Sequence, residues 1–305
     1  MTEIERIIKK GIIKEDFLKE EVRNDFLITT DRKKLWAIIL DLIIEFDRVC
    51  RKHNIRYYVF YGALLGAVRH HGFIPWDDDF DVAMPRDDYE RFIKLDKEFK
   101  MPYFLQTPYS DPESFYSYAK IRNSNTTGVA EMFKYQNFNH GIWMTVFPLD
   151  YWDLEGGEER YSRIRKLATD CSTYMRISNP ELDQKNQERV NSYHSNPLRD
   201  YEEIQRLASS CKDPNCKYMT TATITLGSYQ KNLFNASDFA DIVELDFEGI
   251  KVMAPVGYEH LLRVLYNDYM KFPPTEERGN WHSGVIFDAD IPYKEYLKRE
   301  GIVFD

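Results

Sequence analysis

A cluster of acidic residues directly behind an apolar, glycine-containing segment limits most strongly how this chain can fold. Residues 57–84 read YYVFYGALLGAVRHHGFIPWDDDFDVAM and hold four aspartates, Asp77, Asp78, Asp79 and Asp81. Like charges a few ångströms apart repel by about 1 kcal/mol in water and by several kcal/mol at lower effective dielectric. A positive group is therefore expected beside them, and a divalent cation is the first candidate.

The local pattern places these acids at the start of a strand. IRYYVFY (residues 55–61) is β-branched and aromatic and predicts a strand, Gly62 begins a turn into the short helix ALLGAVRH, and DFDVAM predicts a second strand. Residues two apart on a strand share a face, so Asp79 and Asp81 project together and Asp77 has the same parity. Such carboxylates can hold Mg²⁺, with Mn²⁺ as the alternative.

A plainer interpretation is that WDDDFD is a solvated turn whose acids face water. The density of four acids and the glycine turn upstream favour the metal site instead. Gly62, which has no side chain, would also let a phosphate approach the backbone N–H groups at the helix start. His70 and His71 are weaker candidates as ligands, because Mg²⁺ prefers oxygen.

Composition excludes several classes of protein. The chain has 305 residues, 43% of them hydrophobic, and a net charge of −9, which fits a globular protein and argues against nucleic-acid binding. Four scattered cysteines fit a reducing compartment, and neither a signal peptide nor an apolar run of about 18 residues is found. We therefore expect a cytoplasmic protein.

The order of elements predicts an α+β fold: a mixed sheet of the polymerase-β-like nucleotidyltransferase type with helical decorations. Apolar spacing predicts a helix over residues 31–52, and VELDFEGIKVMAP (residues 243–255) predicts a hairpin. We expect a helical N-terminal segment (1–30), the nucleotidyltransferase-like core (31–150), a helical or loop insertion or lid (151–242) and a C-terminal part that completes the same domain (243–305).

The stretch YGALLGAVRHHGFIPWDDDFDVAMPRDDYERF closely resembles LicD-type proteins, the phosphocholine transferases of bacterial cell-surface glycans, to which fukutin-related transferases are also related. The resemblance extends to YAKIRNSNTTG, HGIWMTVFPLD and LLRVLYNDYMKFPPTEER. It implies a nucleotidyltransferase-like fold, Mg²⁺, and a CDP-linked alcohol, usually CDP-choline, as donor. Phosphocholine would move to a hydroxyl of a glycan precursor, such as one of lipopolysaccharide or teichoic acid, and CMP would leave.

Carried over by position, the resemblance makes Asp79 and Asp81 the catalytic metal pair, with Asp77 beside them, and Gly62 the glycine on the phosphate side. The chain departs from the family at Ala63, where Ser or Thr is frequent.

A second departure concerns the third metal carboxylate. The family strand usually reads like DIFPLD, and Thr145 of MTVFPLD stands in place of its first acid. Asp150 or Glu131 would then be the compensating metal ligand.

Further substrate-binding residues are predicted on other elements. Lys120 and Arg122 share strand parity and could face donor phosphates or be surface charges, and Arg69 is expected to contact phosphate. Four aromatic residues could cage a quaternary ammonium group, of which the first, next to the acids, is the best candidate: Trp76, Tyr109, Trp143 and Trp281.

Three functional hypotheses follow from these residues. The first is transfer of a phospho-alcohol to a glycan acceptor that could be lipid-linked, by a protein that associates peripherally with the inner face of the membrane. The second is transfer of a nucleoside monophosphate, because an acid pair does not decide which phosphorus is attacked. The third is a non-catalytic glycan- or nucleotide-binding homologue, which Thr145 and Ala63 favour.

Overall fold

A computed structural model of the protein describes residues 1–223, 229–279 and 282–304. Within these ranges the helices are α1 (Glu3–Lys9), α2 (Thr30–Lys52), α3 (Tyr61–His70), α4 (Arg86–Phe92), α5 (Gly157–Tyr174), α6 (Gln184–Asn191), α7 (Pro197–Ala208), α8 (Tyr258–Tyr266) and α9 (Tyr293–Arg299). The strands are β1 (Glu21–Arg23), β2 (Phe26–Ile28), β3 (Tyr58–Val59), β4 (Asp81–Pro85), β5 (Tyr103–Gln106), β6 (Ala119–Asn123), β7 (Thr127–Ala130), β8 (Ile142–Trp152), β9 (Tyr218–Thr220), β10 (Phe234–Asn235), β11 (Ile242–Phe247), β12 (Ile250–Pro255) and β13 (Val285–Asp288).

Strand β8 organises the main sheet. It pairs in parallel with β4 and antiparallel with β6 and β9, while β3 extends the sheet beyond β4 and β5 beyond β6. Parallel and antiparallel pairs thus share one sheet, which confirms the α+β class with a mixed sheet. The more specific nucleotidyltransferase-like fold stays a prediction.

Helix α2 is the main helical support of this sheet. The Thr29 hydroxyl accepts a hydrogen bond from the Arg32 backbone N–H and caps the helix, which confirms the predicted helix and moves its start slightly upstream. Its apolar stripe, which includes Trp36, Ile39 and Phe46, is buried in the large core cluster beside β8. Burial of this stripe fixes the helix on the sheet.

The remaining segments are partly as expected. Residues 1–30 contain the β1–β2 hairpin in addition to α1, so this segment is less helical than predicted. In the predicted insertion, α5 and α7 enclose a second apolar cluster, but β9 joins the main sheet. The β11–β12 hairpin turns at Glu248 and Gly249, both with positive φ, which confirms the prediction for residues 243–255.

None of the helices in the described ranges is long and apolar enough to cross a bilayer.

A buried ion pair joins the C-terminal part of β8 to the helices around it. The Arg86 guanidinium donates to both Asp150 carboxylate oxygens at 2.6 and 2.8 Å and to Gln205 of α7 at 2.8 Å. Asp150 follows Thr145 by five residues on β8, a separation of about 17 Å at the usual strand rise. The Asp150 carboxylate, which the sequence suggested as a metal ligand, is therefore bound by Arg86. Asp150 does not belong to the candidate metal ligands of the acidic cluster.

Loss of this ion pair should destabilise the protein strongly. Asp150→Ala leaves the Arg86 charge buried without its carboxylate, and we expect the free energy of unfolding to fall by about 3–5 kcal/mol in urea titrations. Asp170→Ala, which removes the partner of the exposed Lys166, is the control and should cost about 0–1 kcal/mol. Equal costs for the two variants would contradict a stabilising role for the Arg86–Asp150 pair.

Candidate active site

A cavity of about 1080 Å³ opens beside the acidic cluster, and we call it the main cavity. Its walls come from α3, the segment before β4, the end of α8 and the loop that follows α8. Six residues predicted from the sequence line it: Gly62, Arg69, Trp76, Asp77, Asp79 and Asp81. The structure therefore brings the predicted acids, the glycine and one predicted cation to a single surface.

Helix α2 holds the acidic segment in position from behind. The Trp36 indole N–H donates to the Asp77 carbonyl at 3.1 Å, and the Arg32 guanidinium donates to the same oxygen. The Asp77 N–H donates to the Ile74 carbonyl at 2.9 Å. These bonds fix the backbone of a segment that lies outside regular secondary structure, so its carboxylates keep a defined arrangement.

Three consecutive carboxylates converge. Oxygen atoms of Asp77, Asp78 and Asp79 all lie within 4.8 Å of one another. Asp81 begins β4 and lies next along the cavity wall. The sequence prediction named Asp77, Asp79 and Asp81 as ligands and treated Asp78 only as part of the acidic run, so Asp78 is an addition from the structure.

Burial makes the ionised cluster unfavourable on its own. It raises the pKa of Asp77 well above the ordinary value, and the charges of Asp79 and Asp78 raise it further. The pKa of Asp81 is also raised, by burial first and then by Asp79. A bound cation would remove this penalty, and a donor set made only of carboxylate oxygens fits Mg²⁺ or Mn²⁺.

Thr145 lies directly beside the cluster. It pairs in register with Asp81 on one side of β8 and with Lys120 on the other, so Asp81, Thr145 and Lys120 form one row across three strands. The Thr145 side chain hydrogen-bonds Asp81, which partly offsets the rise in the pKa of that carboxyl. A neutral side chain therefore occupies the position next to the metal candidates.

The structure gives a steric reason for glycine at position 62, in addition to the phosphate access inferred from the sequence. A Cβ at this position would lie 2.6 Å from Asp77 Oδ2, much closer than van der Waals contact allows. The missing side chain thus makes room for a carboxylate of the cluster at the start of α3. Ala63, the neighbouring position of interest, is buried and is not among the residues that line the main cavity.

His282 is a site residue that sequence reasoning missed. Its Nδ1 lies 2.8 Å from Asp78 Oδ1 and its Nε2 lies 3.9 Å from Asp79 Oδ2. More than 200 positions separate it from the acids along the chain, and a single histidine in WHSG carries no motif. Only the fold, which brings the segment before β13 to the cluster, identifies it.

Arginines contact the aromatic residues at one wall of the main cavity. The Arg278 guanidinium lies 4.9 Å from the Trp76 ring centroid, and that of Arg69 lies 5.0 Å from the Phe272 centroid. Burial, together with the smaller effect of the neighbouring Arg278 charge, lowers the pKa of Arg69 to about 10. The Trp76 ring therefore already contacts a cation, which weakens its predicted role in caging an ammonium group.

The other predicted aromatic residues do not join Trp76. Tyr109 lines a separate cavity near Arg86, and Trp143 lines a third one. Trp281 lies outside the described residues. The predicted cage is therefore not assembled from the three aromatic residues that are described.

Lys120 and Arg122 lie in the cavity that contains Trp143, a space of about 290 Å³ that we call the side cavity. The structure thus places them beside the acids but not among the residues that line the main cavity.

Glu131, the other suggested compensating ligand, is half-exposed and pairs with Lys134 at 3.2 Å. It lines neither cavity.

Comparison with known proteins shows which family the chain resembles. Residues 54–166 match the family described as "LicD/FKTN/FKRP, nucleotidyltransferase domain". The lipopolysaccharide cholinephosphotransferase LicD of Haemophilus influenzae is 24% identical over 253 residues, which cover 80% of this chain and 93% of that protein. An uncharacterized protein of Rickettsia typhi is 39% identical over 62 residues, or 20% of each chain. Residues 54–166 are therefore similar to LicD-type nucleotidyltransferase domains, and the predicted resemblance to the LicD-type family is confirmed.

Proposed function

We propose that this protein is a Mg²⁺-dependent phosphotransferase that moves phosphocholine, or a similar phospho-alcohol, from a CDP-linked donor to a hydroxyl of a cell-surface glycan precursor. CMP is the leaving group. The similarity to a cholinephosphotransferase over most of both chains supports the class of enzyme. The observation that carries the proposal is the buried cluster of carboxylates in the wall of the main cavity.

The size and lining of the main cavity suit the donor. At about 1080 Å³ it reaches the upper end of the usual range for ligand pockets, roughly 300–1,000 Å³, so a nucleotide-linked alcohol fits. Arg69 and Lys271 line the same cavity as the acids. Their positive charges can hold the diphosphate, and the carboxylates can hold the cation that accompanies it.

The chemistry is a displacement at phosphorus. The acceptor hydroxyl oxygen forms a bond to the phosphorus that carries the choline. The bond from that phosphorus to the bridging oxygen breaks, this oxygen leaves on CMP, and the hydroxyl proton passes to solvent. Asp77, Asp79 and Asp81 would hold the cation, which when bound neutralises charge on the transferring group and on the leaving group. The chain itself contributes positioning and a fixed electrostatic environment.

The proposal also names the acceptor and the place in the cell where the protein would meet it. A glycan precursor on a lipid carrier would be met at the inner face of the membrane, by a protein that associates with the surface peripherally. The net charge of −9 makes general attraction to anionic lipids weak, so contact would depend on the acceptor.

The central prediction concerns Asp81. Incubation with CDP-choline, Mg²⁺ and a panel of glycan acceptors should release CMP, and Asp81→Ala should reduce the rate at least about 100-fold because the cation loses a charged ligand. Asp246→Ala, which removes an exposed carboxylate on β11, is the matched control and should leave the rate unchanged.

Mass analysis of the acceptor identifies the group transferred. A gain of phosphocholine supports the proposal, whereas a gain of a nucleotide supports the nucleotidyltransferase alternative. No CMP release with any CDP-alcohol, together with donor binding that is independent of Mg²⁺, would instead indicate a non-catalytic homologue.

Thr145 gives a second prediction. In register with Asp81, Thr145→Asp adds a carboxylate to the cluster, and we expect tighter Mg²⁺ binding by about 1 kcal/mol or more, with faster CMP release. Thr145→Asn is the control for side-chain size without charge, and both should be measured by calorimetry with Mg²⁺. If the Asp variant binds Mg²⁺ no better than the Asn variant, position 145 is not part of the metal site.

The pKa shifts give a third prediction. Burial raises the pKa of Asp79 above its ordinary value when the protein is folded, so folding favours the protonated form and stability falls as pH rises through the raised pKa. Without metal, the melting temperature should therefore fall as pH rises from the ordinary pKa of an aspartate, about 4, through the raised pKa of Asp79, and Asp79→Asn should reduce this fall. Added Mg²⁺ should raise the melting temperature of the unmodified protein at about pH 8 and that of Asp79→Asn much less. An equal Mg²⁺ effect on both proteins would exclude Asp79 as a ligand.

A further inference from the structure

The side cavity contains two cationic side chains in an aromatic setting. The Lys120 ammonium lies 3.9 Å from the Tyr116 ring centroid and 4.1 Å from that of Trp143, and the Arg122 guanidinium lies 5.0 Å from the same Trp143 ring. Lys120 is 5% exposed and Arg122 is 1% exposed, yet both line the cavity. Such burial of two neighbouring cations is costly unless an anion accompanies them.

Within the described residues, neither cation has a carboxylate as a direct hydrogen-bond or ion-pair partner. Among the described residues, Arg122 donates to Gln106 Oε1 at 2.5 Å and to the Gly141 carbonyl at 2.6 Å, both neutral acceptors, and Lys120 contacts aromatic rings. The Asp111 carboxylate attracts Arg122 electrostatically but is connected to it by hydrogen bonds through the Gln106 amide, which donates to Asp111 at 2.7 Å. Burial first, and then the Arg122 charge, lower the pKa of Lys120 well below its ordinary value. The charges of Asp81 and Asp79 act in the opposite direction, but a metal bound there would neutralise them.

The side cavity lies beside the metal candidates on the same face of the sheet. Asp81, Thr145 and Lys120 occupy adjacent strands in register, so Asp81 and Lys120 are two strand spacings apart, about 10 Å. His282 lines both cavities and contacts Asp78. A ligand of sugar size in the side cavity could therefore extend a hydroxyl toward the acids.

We propose that the side cavity is the acceptor subsite and binds an anionic group, a phosphate or a carboxylate, carried by a sugar. This inference rests on the proposed transferase function and names the chemistry of its acceptor. Lys120 and Arg122 bind the anion, and the rings of Tyr116 and Trp143 hold these cations in position. The cavity volume of about 290 Å³, at the low end of the range for ligand pockets, fits one sugar unit, whereas the main cavity fits the donor.

The first test compares ligands with the unmodified protein. In the presence of Mg²⁺, binding of glucose 6-phosphate, glucuronic acid and methyl glucoside is measured by ligand-observed NMR and calorimetry. We expect both anionic sugars to bind at least about tenfold more tightly than the neutral one, because charge-assisted hydrogen bonds to two cations add to the sugar contacts. The preference between phosphate and carboxylate identifies the group. Equal affinity of all three sugars would overturn the proposal.

The second test removes one charge. Lys120→Met keeps the length of the side chain and should weaken binding of the preferred anionic sugar at least about tenfold while binding of CDP-choline is unchanged. Lys166→Gln, on the exposed face of α5, is the matched control and should have no effect. Arg122→Lys serves as a second variant, which keeps the positive charge but loses the planar guanidinium group. Circular dichroism and thermal unfolding establish that each variant is folded.

Activity separates this inference from the proposed function. If CDP-choline yields CMP and the KM of an anionic acceptor rises at least about tenfold in Lys120→Met with kcat little changed, both stand. If CMP is released but the variant and the unmodified protein show the same KM for anionic acceptors, the acceptor subsite is wrong and the transferase function stands. If anionic sugars bind through Lys120 but no CDP-alcohol gives CMP, the transferase function fails, and with it the assignment of the cavity to an acceptor.

Discussion

Repulsion among four neighbouring carboxylates is the constraint on which the rest of this structure depends. Asp77, Asp78 and Asp79 converge within 4.8 Å, and Asp81 follows on β4. The fold holds this unfavourable arrangement with neutral or positive groups: Arg32 and Trp36 bind the Asp77 carbonyl, and His282 contacts Asp78. A cation that binds there would relieve this repulsion and so stabilise the folded protein. The stability of the protein is in this way linked to its proposed chemistry.

Strand β8 contacts two of the charged regions of the molecule. Near its start it places Thr145 between Asp81 and Lys120, and toward its end it presents Asp150 to Arg86. The two carboxylates at either end of this region therefore have different environments. Asp81, on the neighbouring strand β4, lines the main cavity, whereas Asp150, on β8 itself, is bound by Arg86. The separation of about 17 Å along the strand explains why Asp150 cannot substitute for an acid at position 145.

Local signals in the sequence were sufficient for the elements with strong periodicity. The apolar stripe of residues 31–52 predicted α2, and the turn residues Glu248 and Gly249 predicted the β11–β12 hairpin. The parity of Asp79 and Asp81 placed both at one surface, although β4 itself begins only at Asp81. Prediction was poorer where a residue's partner is distant: Gly62 makes room for Asp77, and Arg278 covers the Trp76 ring.

By itself, the sequence determined the α+β class, the acidic cluster and the similarity to LicD-type proteins, because short-range periodicity and a contiguous motif carry that information. The tertiary structure alone decided that His282 joins the cluster, that Asp150 belongs to an ion pair, and that Lys120 and Arg122 lie in a cavity of their own. These outcomes depend on contacts between residues up to about 200 positions apart. Pattern arguments extend over a few turns or strand residues, whereas burial and charge pairing are set by how distant elements pack together.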